Sequence, residues 1–437
     1  MNRQEYLHKI LSERIAILDG AMGTMIQAEG LDSDDFTLDG KTALGCNEFL
    51  NLSRGDVIFG IHTAYLEAGC DIIETNTFCA NAFNLEEYGL SPDVVAINQA
   101  GCEIAREAAA DFESSHDGYA FVAGVLGPTN RSLSFSSHVD DPSYRQSDFA
   151  SFKAMYTQQA EVLLDGSADL LLIETAFDTL VAKSAIMGCL EAMQTKDRKI
   201  PLMVSATFSD QSGRTLSGQT LEAFVISLTP FPLFSLGLNC STGPSEMLPL
   251  IRKLSRLAPF YISAHPNAGF PDKDGLYSLE PLQMVKELEP VLAEGCLNIV
   301  GGCCGTTPEH IRALAKAVRG KRVHIRHERE STLLLAGLEA CPVPGDRLLV
   351  IGERTNVAGS RKFARLIQEN AWEEALGVAR TQIEEGCDVI DLCMDASMLD
   401  AQSSMVTFLR HMGSDPSVSK VPTMLDSSDW DVIERAL

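Results

Sequence analysis

The chain predicts an α/β protein, a (β/α)8 barrel followed by an incomplete second α/β barrel, and three observations carry that reading. Short apolar runs alternate with longer amphipathic ones along all 437 residues. The short runs are continuously hydrophobic, as in parallel strands covered on both faces. Eight of them, each followed by a helical pattern, come before a basic and proline-bearing stretch, and eight is the number that closes a barrel.

The eight strands are expected at Ala16 to Met22, Asp71 to Thr77, Ala120 to Leu126, Asp169 to Thr175, Leu202 to Thr207, Phe234 to Asn239, Tyr261 to Ala264 and Leu297 to Val300. Helix-period stretches accompany them, such as Gly55 to Ala68, Pro92 to Ala110, Asp148 to Asp165, Leu221 to Leu228, Glu246 to Leu257, Leu282 to Ala293 and Pro308 to Val318. Several of these open on Ser, Thr or Pro at capping positions. The barrel is therefore assigned to 1–325, a linker carrying Pro342 and Pro344 to 326–345, and a second unit to 346–437, beginning near Asp346. That unit repeats the rhythm with strands Leu348 to Ile351, Asp388 to Leu392 and Pro422 to Leu425, and with helices near Trp372 to Glu385, near Ala401 to His411 and from Trp430. Three strands cannot close a barrel and leave an open edge. The second unit is expected to be the truncated start of a larger barrel, or to be supported by another chain.

Composition excludes some partners. A net charge of −25 without long basic runs removes the phosphate attraction on which nucleic-acid binding rests. The segment Met1 to Arg14 is polar and charged, and no segment approaches 18 uninterrupted apolar residues, so neither a signal peptide nor a membrane span is expected. A cytoplasmic location is the expectation, and there the 12 cysteines remain thiols.

Three of those cysteines end strands inside glycine-rich turns: Cys240 in Leu238-Asn239-Cys240-Ser241, and Cys303 with Cys304 in Gly301-Gly302-Cys303-Cys304-Gly305-Thr306. Adjacent side chains on a regular strand face opposite ways, so Cys303 and Cys304 can share a metal only where the strand has broken. Gly301 and Gly302 are expected to supply that freedom. Three thiolates with an open fourth position mark a catalytic zinc site. A vicinal disulfide between Cys303 and Cys304 is a rival that leaves Cys240 unexplained. Cys70, Cys102, Cys189 and Cys296 lie in apolar patterns and read as buried small hydrophobes, Cys296 at the far end of the strand that Cys303 leaves.

Other polar groups fall at strand ends: Asp19 beside Gly20, Glu74, Glu174 and His265. Each acid alone reads as a capping or solvated carboxylate; together, around thiolates, they suit a substrate ammonium. A soft cation held by thiolates favours sulfur in its open position and deprotonates it. Three thiolates keep the site negative and the bound sulfur nucleophilic, which points to thiol alkylation.

The set Asp19-Gly20-Ala21-Met22-Gly23-Thr24, Glu74-Thr75-Asn76-Thr77-Phe78, Gly237 to Pro244, His265-Pro266-Asn267-Ala268-Gly269 and Gly301 to Ile311 resembles the homocysteine-binding domain of the cobalamin-dependent methionine synthases, over about the first 320 residues. The resemblance implies zinc on Cys240, Cys303 and Cys304, homocysteine as the fourth ligand, and Asn267 in that position when substrate is absent. It places Asp19, Gly20 and Glu174 against homocysteine and implies no catalytic residue beyond the zinc site. Ile351 to Asn356, Gly359 to Phe363, Met394-Asp395, Met398-Leu399-Asp400 and Met424 to Ser428 resemble the start of the methyltetrahydrofolate-binding barrel of the same family. Glu353, Asp391 and Asp426 match positions near the pterin, whereas Cys393 stands where asparagine is usual and Ala396-Ser397 replace Glu-Gly. The implied activity is methyl transfer from methylcobalamin to homocysteine, giving methionine, with the methyl originally from 5-methyltetrahydrofolate. No D-x-H-x-x-G motif occurs, so methylcobalamin is expected on another domain or a partner subunit. Competing readings are a homocysteine S-methyltransferase with a sulfonium or betaine donor, which Glu353 to Lys362 argue against, and a thiol sensor without turnover, which the open zinc position argues against.

Overall fold

The computed structural model describes residues 2–208, 212–273, 275–328, 333–343, 345, 347–397 and 399–437; Pro344, Asp346 and Met398 lie outside them. By contact the chain divides into two compact units. One comprises Met1–Arg131, Phe149–Thr215 and Phe231–Arg329, the other Ser132–Asp148, Leu216–Pro230 and Glu330–Leu437.

The first unit is built on eight parallel strands: β1 (Ala16–Ile17), β2 (Ile72–Glu74), β3 (Phe121–Leu126), β4 (Leu170–Ala176), β5 (Leu202–Ala206), β6 (Ser235–Asn239), β7 (Tyr261–His265) and β8 (Ile299–Val300). Their hydrogen-bonded order is β1-β8-β7-β6-β5-β4-β3-β2, and a parallel bridge from Leu18 to Ile72 closes the ring. Alternate residues fill the interior: Phe121, Ala123 and Val125 from β3, Leu170 and Leu172 from β4, Met203 from β5, Tyr261 from β7 and Ile299 from β8. The first expected strand is overlong. After Asp19 N donates to Ile72 O, Ala21 N turns to Thr306 Oγ1 (3.1 Å) instead of a strand, and a helix starts at Met22.

The helix Arg3–Glu13, absent from the sequence reading, packs Leu7, Ile10 and Leu11 onto that interior. Their i, i+3, i+4 spacing is one helical face, and Asn2 with Glu5 forms a capping box at its start. The helix Thr179–Thr195 was likewise missed; Asp178 caps it by accepting from Leu180 N and Val181 N. Among the described residues no helix is long and apolar enough to cross a membrane.

The second unit has a parallel sheet of β11 (Ile351–Asn356), β12 (Val389–Cys393) and β13 (Thr423–Asp426), in that order, over a core containing Phe363, Ile390, Leu392, Met405 and Phe408. A short antiparallel pair, β9 (Leu334–Ala336) and β10 (Ala340–Pro342), occupies the stretch read as linker. The helix Leu221–Leu228, expected among the barrel helices, groups with this unit: Thr220 N donates to Leu338 O at 2.9 Å and Gln219 Nε2 to Gly337 O at 3.2 Å. A further helix, Arg361–Gln368, is capped by Ser360.

Candidate active site

The three strand-end cysteines converge. Their sulfur atoms all lie within 4.8 Å of one another, with Cys240 Sγ 3.9 Å from Cys304 Sγ. Asn239, one residue earlier on β6, points into the barrel, so a regular strand would turn Cys240 outward. It does not, because Cys240 and Ser241 both take left-handed backbone, at φ 60° and 63°. That conformation is unfavourable by about 1–2 kcal/mol for an L-residue, and it brings neighbouring side chains to the same mouth.

On the other arm the expected role of the glycines is corrected. Neither Gly301 nor Gly302 is left-handed; only Gly305 in that turn is, at φ 79°. What positions 301 and 302 require is space. A Cβ on Gly302 would stand 2.3 Å from Thr306 Oγ1, and one on Gly301 would stand 2.8 Å from Leu18 Cβ. The turn itself is held by Cys303 N on Pro266 O (2.9 Å) and by Thr306 N and Oγ1 on Cys303 O (3.1 and 2.7 Å).

The thiols interact before any metal arrives. Hydrogen bonds from Cys303 and then Cys304 pull the Cys240 thiol down, and the same contacts with Cys240 push both partners up. Tyr277, which no motif flagged, also hydrogen-bonds Cys304, and its ring fills the space over Gly305. Tetrahedral zinc with Zn–S bonds of about 2.3 Å sets sulfur separations near 3.8 Å. The observed 3.9 Å between Cys240 and Cys304 matches that. Asn267 Oδ1 is buried without a hydrogen-bond partner among the described residues. Soft thiols at that spacing, beside an unpaired oxygen, fit zinc.

The predicted acids lie beside the sulfurs. Asp19 is 2% exposed; its Oδ2 accepts from Glu74 N at 2.9 Å and its Oδ1 has no partner among the described residues. Glu174 is 8% exposed and accepts from Asn239 Nδ2 at 3.1 Å. A bulge places it: the β4 register skips between Ile173 and Ala176, with Thr175 left-handed at φ 58°. Such bulges re-aim side chains next to sites. Burial, and then Cys240, push Glu174 up to about 8; burial raises Asp19 and Glu74 as well. His265, at the end of β7, is driven down to about 3 by burial alone. A cleft of about 680 Å³ joins Asp19, Gly20, Glu74 and Glu174 to Cys240, Cys303 and Cys304. Gly20 has no room for a side chain, since a Cβ would meet Thr306 Oγ1 at 2.6 Å.

In the second unit the three acids matched to the pterin positions lie on adjacent strands. Asn356, Cys393 and Asp426 pair across β11, β12 and β13, and the β11 register skips between Gly352 and Thr355, at Glu353. Asp391 is 8% exposed, with Oδ1 unpartnered among the described residues; burial and then Asp426 raise it. Glu353 is exposed and 3.7 Å from Arg354.

A family model described as homocysteine S-methyltransferase matches residues 16–318, and one described as pterin binding enzyme matches residues 352–437. Solved structures of the homocysteine methyltransferase MmuM from Escherichia coli share the fold. The oxidized form has a TM-score of 0.56 at 24% identity and the metallated form 0.55 at 24%, each covering 72% of this chain and 99% of that one. The apo form has a TM-score of 0.52 at 23% identity, covering 72% of this chain and 100% of its own.

Proposed function

The chain belongs to the homocysteine S-methyltransferase family, and from that premise we propose that its barrel presents homocysteine as a zinc-held thiolate to methylcobalamin, yielding methionine. The observation that carries this is the three-thiol cluster at the mouth of a complete barrel. Cys240, Cys303 and Cys304 would hold the metal, with Asn267 Oδ1 beside the fourth position until substrate enters. Zinc on three thiolates lowers the pKa of an added thiol and keeps its sulfur nucleophilic at neutral pH.

The chain's own groups do the rest. Asp19 and Glu174 receive the substrate ammonium, and the bare Gly20 backbone lets the substrate approach Asp19. Buried carboxyls that hold protons in the empty cleft give them up when an ammonium arrives, because an opposite charge favours the ionised form. The methyl donor is proposed from the pterin-binding match over residues 352–437: a methyl originally from 5-methyltetrahydrofolate, with Glu353, Asp391 and Asp426 facing the pterin, carried on cobalamin bound by another domain or a partner subunit. All 12 cysteines are free thiols, which suits the reducing cytoplasm.

Turnover of homocysteine with free methylcobalamin, S-methylmethionine or betaine tests the donor. Methionine should form from methylcobalamin; formation only from the sulfonium or the betaine would reject the cobalamin reading.

A further inference from the structure

Behind Glu74 and Glu174, two of the acids that line the cleft, lies an arrangement that the motifs leave unexplained. His265 is fully buried, and neither of its ring nitrogens has a partner among the described residues. One of those nitrogens and one oxygen each from Glu74 and Glu174 lie within 4.8 Å of one another. Leaving a buried polar atom unpaired is costly, and a neutral imidazole has one nitrogen that accepts, so His265, buried close to two carboxyls with neither nitrogen paired, is placed for something that brings a donor.

The geometry says what kind. Three acceptors at the corners of a triangle with sides of up to 4.8 Å share a centre up to about 2.8 Å from each, which is hydrogen-bond reach. A primary ammonium carries three N–H donors, one for each corner. Asp19 stands beside this triangle, its Oδ2 held by Glu74 N and its Oδ1 unpartnered among the described residues, and adds its charge to the ammonium site, while one Glu174 oxygen is taken by Asn239 Nδ2.

We infer that Glu74, Glu174 and His265 form a three-cornered cage for the ammonium of the substrate, with Glu74 and His265 as residues that select a free amine. This rests on the homocysteine reading of the barrel and deepens it, since the family resemblance supplies Asp19 and Glu174 and the geometry adds the other two corners.

The test uses the full chain loaded with zinc and two thiols that differ only in the amine, L-homocysteine and 4-mercaptobutanoate, each titrated calorimetrically. The unaltered protein should prefer homocysteine by about tenfold or more, the scale of one charged hydrogen-bonded contact. His265→Leu and Glu74→Gln should each remove most of that preference while leaving 4-mercaptobutanoate affinity within about twofold, because only the amine loses its partner. Glu74→Gln is nearly isosteric and decides the matter if His265→Leu does not fold. Equal losses for both thiols, or an unchanged preference in the folded variants, would overturn the cage. Homocysteine bound no more tightly than 4-mercaptobutanoate by the unaltered protein would overturn the cage and leave the thiol site standing. Binding of neither thiol would overturn the homocysteine reading, and the cage with it.

Discussion

Cys303 is the thiol most firmly tied into the backbone, through Pro266 and Thr306, and its sulfur also accepts from Asn239 Nδ2 at 3.9 Å. Replacing it with serine keeps those backbone bonds and removes a soft ligand. Cys303→Ser should therefore fold and lose zinc, as metal analysis of the purified variant would show; stoichiometric zinc in that variant would reject the ligand assignment. Glu174 gives a pH prediction. In the folded chain it keeps its proton up to about pH 8, against 4.5 for an ordinary glutamate. The folded state then binds more protons than the unfolded one between those values, so the metal-free, substrate-free protein loses stability as pH rises through that window. Glu174→Gln should flatten the dependence of the urea midpoint on pH between about 4.5 and 8, with the remaining slope left to Asp19 and Glu74. An unchanged slope would show that Glu174 is not held protonated. The same variant should bind homocysteine about tenfold or more weakly, on the scale of a charged hydrogen bond. That the three thiols and the two acids gather at one mouth of the barrel was legible because strand ends can be read from hydrophobic runs. The unpaired nitrogens of His265 were not, because a sequence shows which groups exist and not which of them lack partners.

The elements that carry these side chains share one device, a local break in or just after a strand. Glu174 sits on a bulge of β4, Glu353 on the matching irregularity of β11, and Cys240 on a left-handed pair after β6. None of this was legible. Thr175, Cys240 and Ser241 are residues that do not advertise left-handed backbone, and tertiary contacts hold them there; one is the Thr207 Oγ1 to Ser241 Oγ bond of 2.6 Å. At Gly301 and Gly302 the sequence reading had the right residues for the wrong reason. Thr306 Oγ1 cannot swing away from position 302, because it donates to Cys303 O and accepts from Ala21 N. Gly302→Ala should consequently destabilise the barrel by about 1–3 kcal/mol, the usual cost of overpacking, and weaken zinc binding by displacing Cys303. A denaturant midpoint and zinc affinity equal to those of the unaltered chain would contradict this.

For the molecule as a whole, alternating strand and helix patterns made the barrel legible, since each buried strand reads as an apolar run wherever it sits. The grouping of segments by contact was not legible. Residues 132–148 and 216–230 belong by contact with the C-terminal unit although they fall within the barrel's stretch of sequence, and no periodicity reports which surface a loop or short helix packs on. A zinc site among the sulfurs at the mouth of the barrel underlies the proposed chemistry. It is tested most directly by zinc-edge X-ray absorption on the full chain, with and without homocysteine. Three sulfur ligands and one nitrogen or oxygen ligand are expected without substrate, changing to four sulfur ligands with it; a metal environment that homocysteine leaves unchanged would rule this chemistry out.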